Sequence, residues 1–197
     1  ALLHEVDALS QPLPDPFILI LGGLKVQTKL PLLHALAPRA KANLLGSGTA
    51  AFLHGIETGK GSRMIGYEFS RAERAAARAV LKKYKDQLVF PIDVVMTKSA
   101  SALHSRTVPL KTLDSDEAAF DLGPQTIELY RRVLVGAKSI VWNGPVGVVE
   151  HHAGQAGTLG LAKAIHAQGT ARSVVGGGDT LAFLEEKKLT DAFTFLS

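Results

Sequence analysis

Phe17-Ile18-Leu19-Ile20-Leu21-Gly22-Gly23 is the stretch that decides the fold. Five consecutive apolar residues without polar alternation mark a strand covered on both faces, as in a parallel sheet lying between layers of helices. The glycine pair ends the strand and predicts a turn into a helix, expected from about Thr28 to Leu36 with Pro31 in its first turn. The same unit recurs along the chain. Ala42-Asn43-Leu44-Leu45 predicts a second strand, ended by Gly46-Ser47-Gly48 before a helix through Phe52 and Leu53. Leu88 to Met96 predicts a third, with Pro91 as a boundary or bulge. Ser139-Ile140-Val141-Trp142 predicts a fourth, followed by Asn143-Gly144-Pro145, and Ser173-Val174-Val175 a fifth, stopped by Gly176-Gly177-Gly178-Asp179. Ala192 to Leu196 would be a sixth. Strands alternating with helices predict one α/β domain: three layers, Rossmann-like, with a parallel sheet of about six strands and helices on both faces.

Between these units lie further helical signals. Leu2, Leu3, Val6 and Leu9 fall at helical spacing, and Gln11-Pro12-Leu13-Pro14-Asp15-Pro16 ends that helix. Ser70 is placed to cap a helix from Arg71 to Lys85. Gly123-Pro124 opens one running to Val135, and Thr158 to Gln168 carries Leu159, Leu161, Ala162 and Ile165 on another. Another helix follows Asp179 as far as Lys187. Thr97 to Gly123 is long and polar, and is expected to be irregular and mobile.

Composition narrows the function classes. The 197 residues are 46% hydrophobic and 20% charged, a globular balance that excludes intrinsic disorder. No Cys is present, which removes disulfides, thiolate zinc sites and Cys nucleophiles, and suits a reducing cytoplasm. The longest apolar run, Phe17 to Leu24, is far below the roughly 20 residues that span a bilayer, so no membrane partner is expected. The N-terminal Ala1-Leu2-Leu3-His4-Glu5-Val6-Asp7 lacks a basic region and a Met, which predicts no signal peptide and a piece of a longer protein. The net charge of +4 is mild. Arg71, Arg74, Arg78, Lys82, Lys83 and Lys85 read as the solvated face of one helix, interrupted by Glu73, with too few aromatics for a nucleic-acid surface. The excess also suits a small polyanion such as a nucleotide or phosphosugar.

Chemistry is carried by position. Gly22-Gly23, Gly46-Ser47-Gly48, Asn143-Gly144-Pro145-Val146-Gly147 and Gly176-Gly177-Gly178-Asp179 each follow a strand, so a parallel sheet brings them to its carboxyl edge, where open α/β folds bind ligands. Glycine admits a close backbone approach, and the helix N-termini behind offer N–H groups to an anion. A phosphate-bearing ligand follows. Gly55-Ile56-Glu57-Thr58-Gly59-Lys60-Gly61 fails the P-loop pattern at two positions and follows a helix. Gly46-Ser47-Gly48-Thr49-Ala50-Ala51 fits the dinucleotide fingerprint, but after a short strand that is not the first of the sheet. Lys25 and Lys29, four apart, either neutralise phosphate charge beside the first turn or are solvated surface lysines. Asp179 is placed to hold Mg²⁺ beside phosphates, to cap its helix, or both. Glu150 could accept a ribose hydroxyl, and the adjacent His151-His152 read as exposed histidines.

Five segments carry a resemblance. Phe17 to Lys29 resembles the LGGAKVxDK segment of the phosphoglycerate kinase family, and Phe90-Pro91-Ile92-Asp93-Val94-Val95 its LPVDVV strand. Asp121-Leu122-Gly123-Pro124-Gln125-Thr126-Ile127-Glu128-Leu129 is similar to DIGPKTIEL. Val141 to Val148 matches VWNGPxGV, and Gly176-Gly177-Gly178-Asp179-Thr180 matches GGGD[ST]. The segments stand in the family's order over nearly the whole chain. The resemblance covers the family's second, nucleotide-binding lobe, with residues 1–14 as the helix connecting the lobes and 15–197 as the nucleotide-binding domain. It implies that the first lobe and a final STGGGAS loop lie outside this chain.

The resemblance implies reversible phosphoryl transfer between 1,3-bisphosphoglycerate and ADP, giving 3-phosphoglycerate and ATP, with Mg²⁺, in a cytoplasmic monomer. It implies that Lys29, Lys25, Gly177 and Gly178 serve the transferring group, and that Gly22, Gly23, Leu24, Lys25 and Lys29 line the phosphate end. Gly46 and Gly48 would flank the base, with Ala119 and Phe120 at the adenine pocket. Asn143, Pro145, Gly147 and Val148 would shape the base and ribose site, and Glu150 would bind the ribose. Gly176, Gly177, Gly178 and Thr180 would meet the phosphates, and Asp179 the metal. Leu24, Thr28, Ser47, Ala119-Phe120 and Val149 depart from the family pattern, the mark of a divergent member, and a degenerate, non-catalytic nucleotide-binding module is the rival reading.

Overall fold

Strand β1 (Phe17–Leu21) is buried along its whole length, and its side chains divide between two cores. Phe17, Leu19 and Leu21 face one side, with Leu33, Leu36, Phe52, Leu53, Val80 and Tyr84. Ile18 and Ile20 face the other, with Tyr130, Leu134, Leu161, Ile165 and Leu184. The two-residue period of a strand puts successive side chains on opposite faces, so an unbroken apolar run is what a twice-covered strand requires. The structure is a computed structural model that describes residues 13–23, 26–60, 62–63, 68–98, 104–113 and 115–196. The expected helix at the N-terminus, Leu24, Lys25 and Gly61 lie outside the described residues, as does the side chain of Thr28.

The first core packs under α1 (Val26–Leu36), α2 (Ser47–Thr58) and α3 (Arg71–Tyr84). The second packs under α4 (Pro124–Leu134), α5 (Ala156–His166) and α6 (Gly178–Glu186). Beside β1 run β2 (Ala42–Leu45), β4 (Leu88–Val89), β8 (Ser139–Asn143), β9 (Arg172–Gly176) and β10 (Phe195–Leu196). All pair in parallel, in the order β10-β9-β8-β1-β2-β4. Numbered by their succession within this sheet, that is the 3-2-1-4-5-6 order of doubly wound folds, whose strand order reverses between β1 and β8. The predicted three-layer α/β arrangement is what the chain adopts.

A second sheet was not predicted. Its order is β3-β7-β5-β6, from β3 (Ser62–Arg63), β5 (Asp93–Thr97), β6 (Ser105–Pro109) and β7 (Ser115–Leu122). It is mixed, with β5 antiparallel to both neighbours and β3 parallel to β7. Its own small core joins Val94, Met96, Leu110, Leu113 and Ala119 to Ala51 of α2. Two expectations are corrected here. The single strand from Leu88 to Met96 is two strands in different sheets, because Pro91 has no N–H to continue a ladder. The stretch from Thr97 to Gly123 is not irregular in its described part, which holds β6, a 3₁₀ turn (Leu110–Thr112) and β7. A third correction is smaller: α1 starts at Val26, so Pro31 sits in its second turn rather than its first.

Local signals account for the remaining helices. Ser70 accepts from Glu73 N at 3.2 Å while Glu73 Oε2 accepts from Ser70 N at 2.9 Å, so Glu73 closes a capping box instead of interrupting a charged face. The basic residues of α3 are exposed. Gly59, with φ of 74°, is the left-handed cap ending α2, so the described part of the P-loop-like stretch is the carboxyl end of a helix rather than a strand-to-helix turn. No described helix is long and apolar enough to cross a membrane.

Tyr130 holds α4 to the sheet. Fully buried, it donates to Leu45 O at 2.8 Å or Val89 O at 2.9 Å and accepts from Leu45 N at 3.2 Å, tying the ends of β2 and β4. Tyr130→Phe would leave these buried backbone groups short of a partner, and is expected to cost about 1–3 kcal/mol in urea unfolding. A loss within experimental error would show that water replaces the hydroxyl.

Candidate functional site

Strand register places the four glycine turns. Leu21 pairs with Leu45 on one side and with Asn143 on the other, and Asn143 pairs with Gly176. The strands therefore end level, and Gly22, Gly46, Gly144 and Gly177 start their turns side by side. The turns are laced together. Gly22 N donates to Asn143 O at 2.9 Å, Gly23 N to Pro145 O at 2.7 Å, Ser47 N to Val146 O at 2.9 Å and Gly144 N to Gly176 O at 3.2 Å. Trp142 Nε1 donates to Gly144 O at 2.8 Å and Thr49 Oγ1 to Gly23 O at 2.8 Å.

They enclose a cavity of about 360 Å³ at the point where the sheet reverses. Of the predicted residues, Gly23, Lys29, Gly48, Pro145, Gly147, Val148, Glu150, Gly177, Gly178 and Asp179 line it. Ser47, Gly144 and Val146 line it too; the sequence marks them as members of the glycine turns, and Ser47 as a departure from the family pattern, without assigning them a contact. Leu24 and Lys25 fall outside the described residues, and the other predicted residues that are described stand behind the lining. A Cβ on Gly22 would overlap Pro145 O, and one on Gly46 would lie 3.0 Å from both Gly22 Cα and Val146 Cα, so these two glycines let the turns pack. Ala119 and Phe120 are buried in β7, where Phe120 O accepts from Val148 N at 2.9 Å behind the wall. Gly176 ends β9 and supplies the carbonyl that Gly144 N meets.

Ser47 is absorbed into the site. Its side chain is buried and its Oγ donates to Val146 O at 2.9 Å, so the departure from a glycine run adds a tie between two turns.

Lys29 is the sole cation among the described lining residues. It is part-buried and donates to Asn143 Oδ1, which brings α1 to the end of β8. Burial holds its ammonium below the usual lysine range, and the nearby Asp179 carboxylate opposes that shift. A Cβ on Gly144 would sit 3.0 Å from Nζ, so glycine is what lets the lysine lie against the turn. Opposite, no side chain caps α6, whose N-cap Gly177 has φ of 101°. Thr180 Oγ1 is buried in the first turn of α6 without a hydrogen-bond partner among the described residues. An uncapped helix start, an unpartnered hydroxyl and a desolvated ammonium together suit an anion.

The wall from Pro145 to Glu150 is fixed from below. Val146 N donates to Thr158 Oγ1 at 3.1 Å and Gln155 Nε2 to Val149 O at 2.8 Å. Under it lies Asp121, a wholly buried carboxylate. Burial pushes its carboxyl up to about 7, against the pull of N–H groups from Gly157, Leu122 and Ala156. Sequence reading met Asp121 only as a letter of a matched segment. Its contacts to Gly157 span 36 positions, and no local pattern encodes them.

Comparison with known proteins agrees with this geometry. The phosphoglycerate kinase family model matches residues 1–197. A phosphoglycerate kinase of Thermomicrobium roseum is 40% identical over 98% of this chain and 50% of its own length. One of Coxiella burnetii is 37% identical over 100% of this chain and 51% of its own. Among solved structures, the Coxiella burnetii enzyme superposes with a TM-score of 0.85 at 33% identity, covering 100% of this chain and 51% of that one. The Pyrococcus horikoshii enzyme gives 0.77 at 25% identity, covering 98% and 50%. The chain thus spans about half the length of these relatives. By sequence match over its whole length, and by a fold whose carboxyl edge gathers the four turns, the chain belongs to the phosphoglycerate kinase family.

Proposed function

We propose that the cavity binds ADP or ATP, and that residues 15–197 form the nucleotide-binding domain for reversible phosphoryl transfer between 1,3-bisphosphoglycerate and ADP. The observation that carries this reading is the convergence of four glycine turns, Lys29 and the open start of α6 on one cavity. A transferring phosphoryl group carries its charge on three equatorial oxygens and needs little covalent help, so positioned cations and N–H groups are the chemistry required. Lys29 and the Gly177-Gly178 turn would face that charge, with Thr180 Oγ1 as a further donor. Lys25, outside the described residues, would join the same phosphate end, as the family resemblance implies. Val148 and Glu150 would border the base and ribose, with Gly48 across the cavity. A cytoplasmic monomer completes the reading.

The donor set suits Mg²⁺. Asp179 is exposed at the cavity beside the phosphate end, and no cluster of three His, Asp or Glu occurs among the described residues. Mg²⁺ in phosphoryl-transfer sites takes one or two carboxylates and completes its shell with water and substrate phosphates, so a single aspartate fits. Bound there, the ion would offset negative charge on the phosphates. Asp179 would hold it, Lys29 would orient the phosphate chain, and the glycine turns would exclude water from one side.

Calorimetry tests both parts of the proposal. ADP is expected to bind the chain without competition from NADH. Asp179→Asn should weaken MgADP about tenfold while changing metal-free ADP little, because only the ion loses a ligand. Tight NADH binding with no heat from ADP would refute the nucleotide assignment. Equal losses with and without Mg²⁺ would leave Asp179 a structural residue.

A further inference from the structure

Asp121 lies outside the cavity yet touches what shapes it. It stands near the end of β7, the long strand of the second sheet, and is 0% exposed. Oδ2 accepts from Gly157 N at 2.8 Å and Oδ1 from Leu122 N at 2.8 Å. A Cβ on Gly147, in the cavity wall, would overlap this carboxylate, and so would one on Gly157, in the first turn of α5. The side chain therefore fills the space between wall and helix start, and both sequence positions are glycine to admit it.

We infer that Asp121 is a positioning residue for the nucleoside half of the site. It sets where Gly147, Val148 and Glu150 stand by pinning the wall to α5 and to the second sheet. The phosphate half is carried by other elements: the turn after β1, Lys29 of α1, and Gly177 to Asp179 at α6. A carboxylate serves because it accepts on both oxygens, whereas an amide presents one acceptor and an NH₂ group that meets an N–H head-on. An isosteric amide would thus force the wall to shift while leaving the phosphate end in register. The inference rests on the nucleotide reading above, and gives the second sheet a task in it.

The test compares two probes, ADP and inorganic pyrophosphate, on the 197-residue chain at about pH 8.5, above the value near 7 to which burial pushes Asp121, so that it is a carboxylate in the folded chain. Asp121→Asn is expected to raise the Kd for ADP about tenfold and that for pyrophosphate by less than about twofold. Equal weakening of both probes, or of neither, overturns the inference while leaving the nucleotide reading intact. Pyrophosphate binding without ADP binding by the unsubstituted chain overturns the nucleotide reading itself, and this inference with it. A measurement on the unsubstituted chain guards against a variant that fails to fold. The amides of Leu122, Val146, Val148 and Gly157 should exchange hydrogen with one common opening free energy, as a pinned unit does. Fast, independent exchange at Gly157 would overturn the pin.

Discussion

The 197-residue chain assayed alone with ATP and 3-phosphoglycerate is expected to turn over no faster than about 10⁻³ s⁻¹, while binding the nucleotide as proposed. Kinases of this kind of chemistry run at about 1–100 s⁻¹. The chain spans about half the length of its relatives, and Lys29 is the sole cation among the described residues lining its cavity. On the proposed reading, these described residues would meet the transferring charge from the nucleotide side. Holding the acceptor in line is worth effective molarities of about 10⁵ M or more, at least about 7 kcal/mol of barrier. Losing that contribution lowers a rate of about 100 s⁻¹ by about 10⁵-fold. A coupled spectrophotometric assay decides it. A rate within the ordinary kinase range would show that this chain carries a complete acceptor site, and would refute the division of labour proposed here. Adding a separately produced first lobe from a relative is expected to raise the rate above that of the chain alone, since closure of two lobes excludes water and aligns the reactants.

The carboxyl-edge site was legible in the sequence because its determinants are local. Each glycine turn directly follows its strand, and parallel pairing then levels the strand ends without further information. The second sheet was not legible, for reasons visible in its strands. Ser105–Pro109 is an edge strand exposed along most of its length, so it carries no apolar period to read. Leu88-Val89 and Asp93–Thr97 join into one apolar run, and only the partners of each piece reveal that they serve different sheets. Pro31 was assigned to a first turn on propensity, whereas α1 begins two residues before the expected Thr28, at Val26, and so puts it in the second. Within the site, the glycines that line the cavity and those that admit a neighbouring turn look alike in sequence. Gly22 and Gly46 belong to the second kind, which emerges only when a Cβ is placed on each. The Lys29–Asn143 hydrogen bond, across 114 positions, is legible in neither segment alone.

Asp121 should make the chain less stable as pH rises, the reverse of what a surface aspartate does. Its carboxyl lies at about 7 in the folded chain, against an ordinary value of 3.8, because burial outweighs the three N–H groups that favour its charge. Between these two values the folded state holds a proton that the unfolded state has released. The resulting stabilisation is fully present below about pH 4 and is lost as pH climbs through about 7. Raising the carboxyl that far corresponds to about 4 kcal/mol in all, of which about 3 kcal/mol disappears between about pH 5 and pH 8. Asp121→Asn cannot titrate. Its unfolding free energy in urea should therefore lack this component, and its deficit relative to the unsubstituted chain should shrink by about 3 kcal/mol across the same interval. Every other titratable group is common to both proteins, so the difference between the two curves isolates Asp121. Parallel curves would place the buried proton elsewhere and remove the physical basis for a neutral acid beneath the cavity wall. A converging pair would mean that near neutral pH the wall from Pro145 to Glu150 rests on a group close to its own midpoint. The same three N–H donors, two of them at the start of α5, then hold a charged acceptor at higher pH and a neutral one at lower pH, so the hold on α5 beneath the wall tightens in the direction that costs the fold stability.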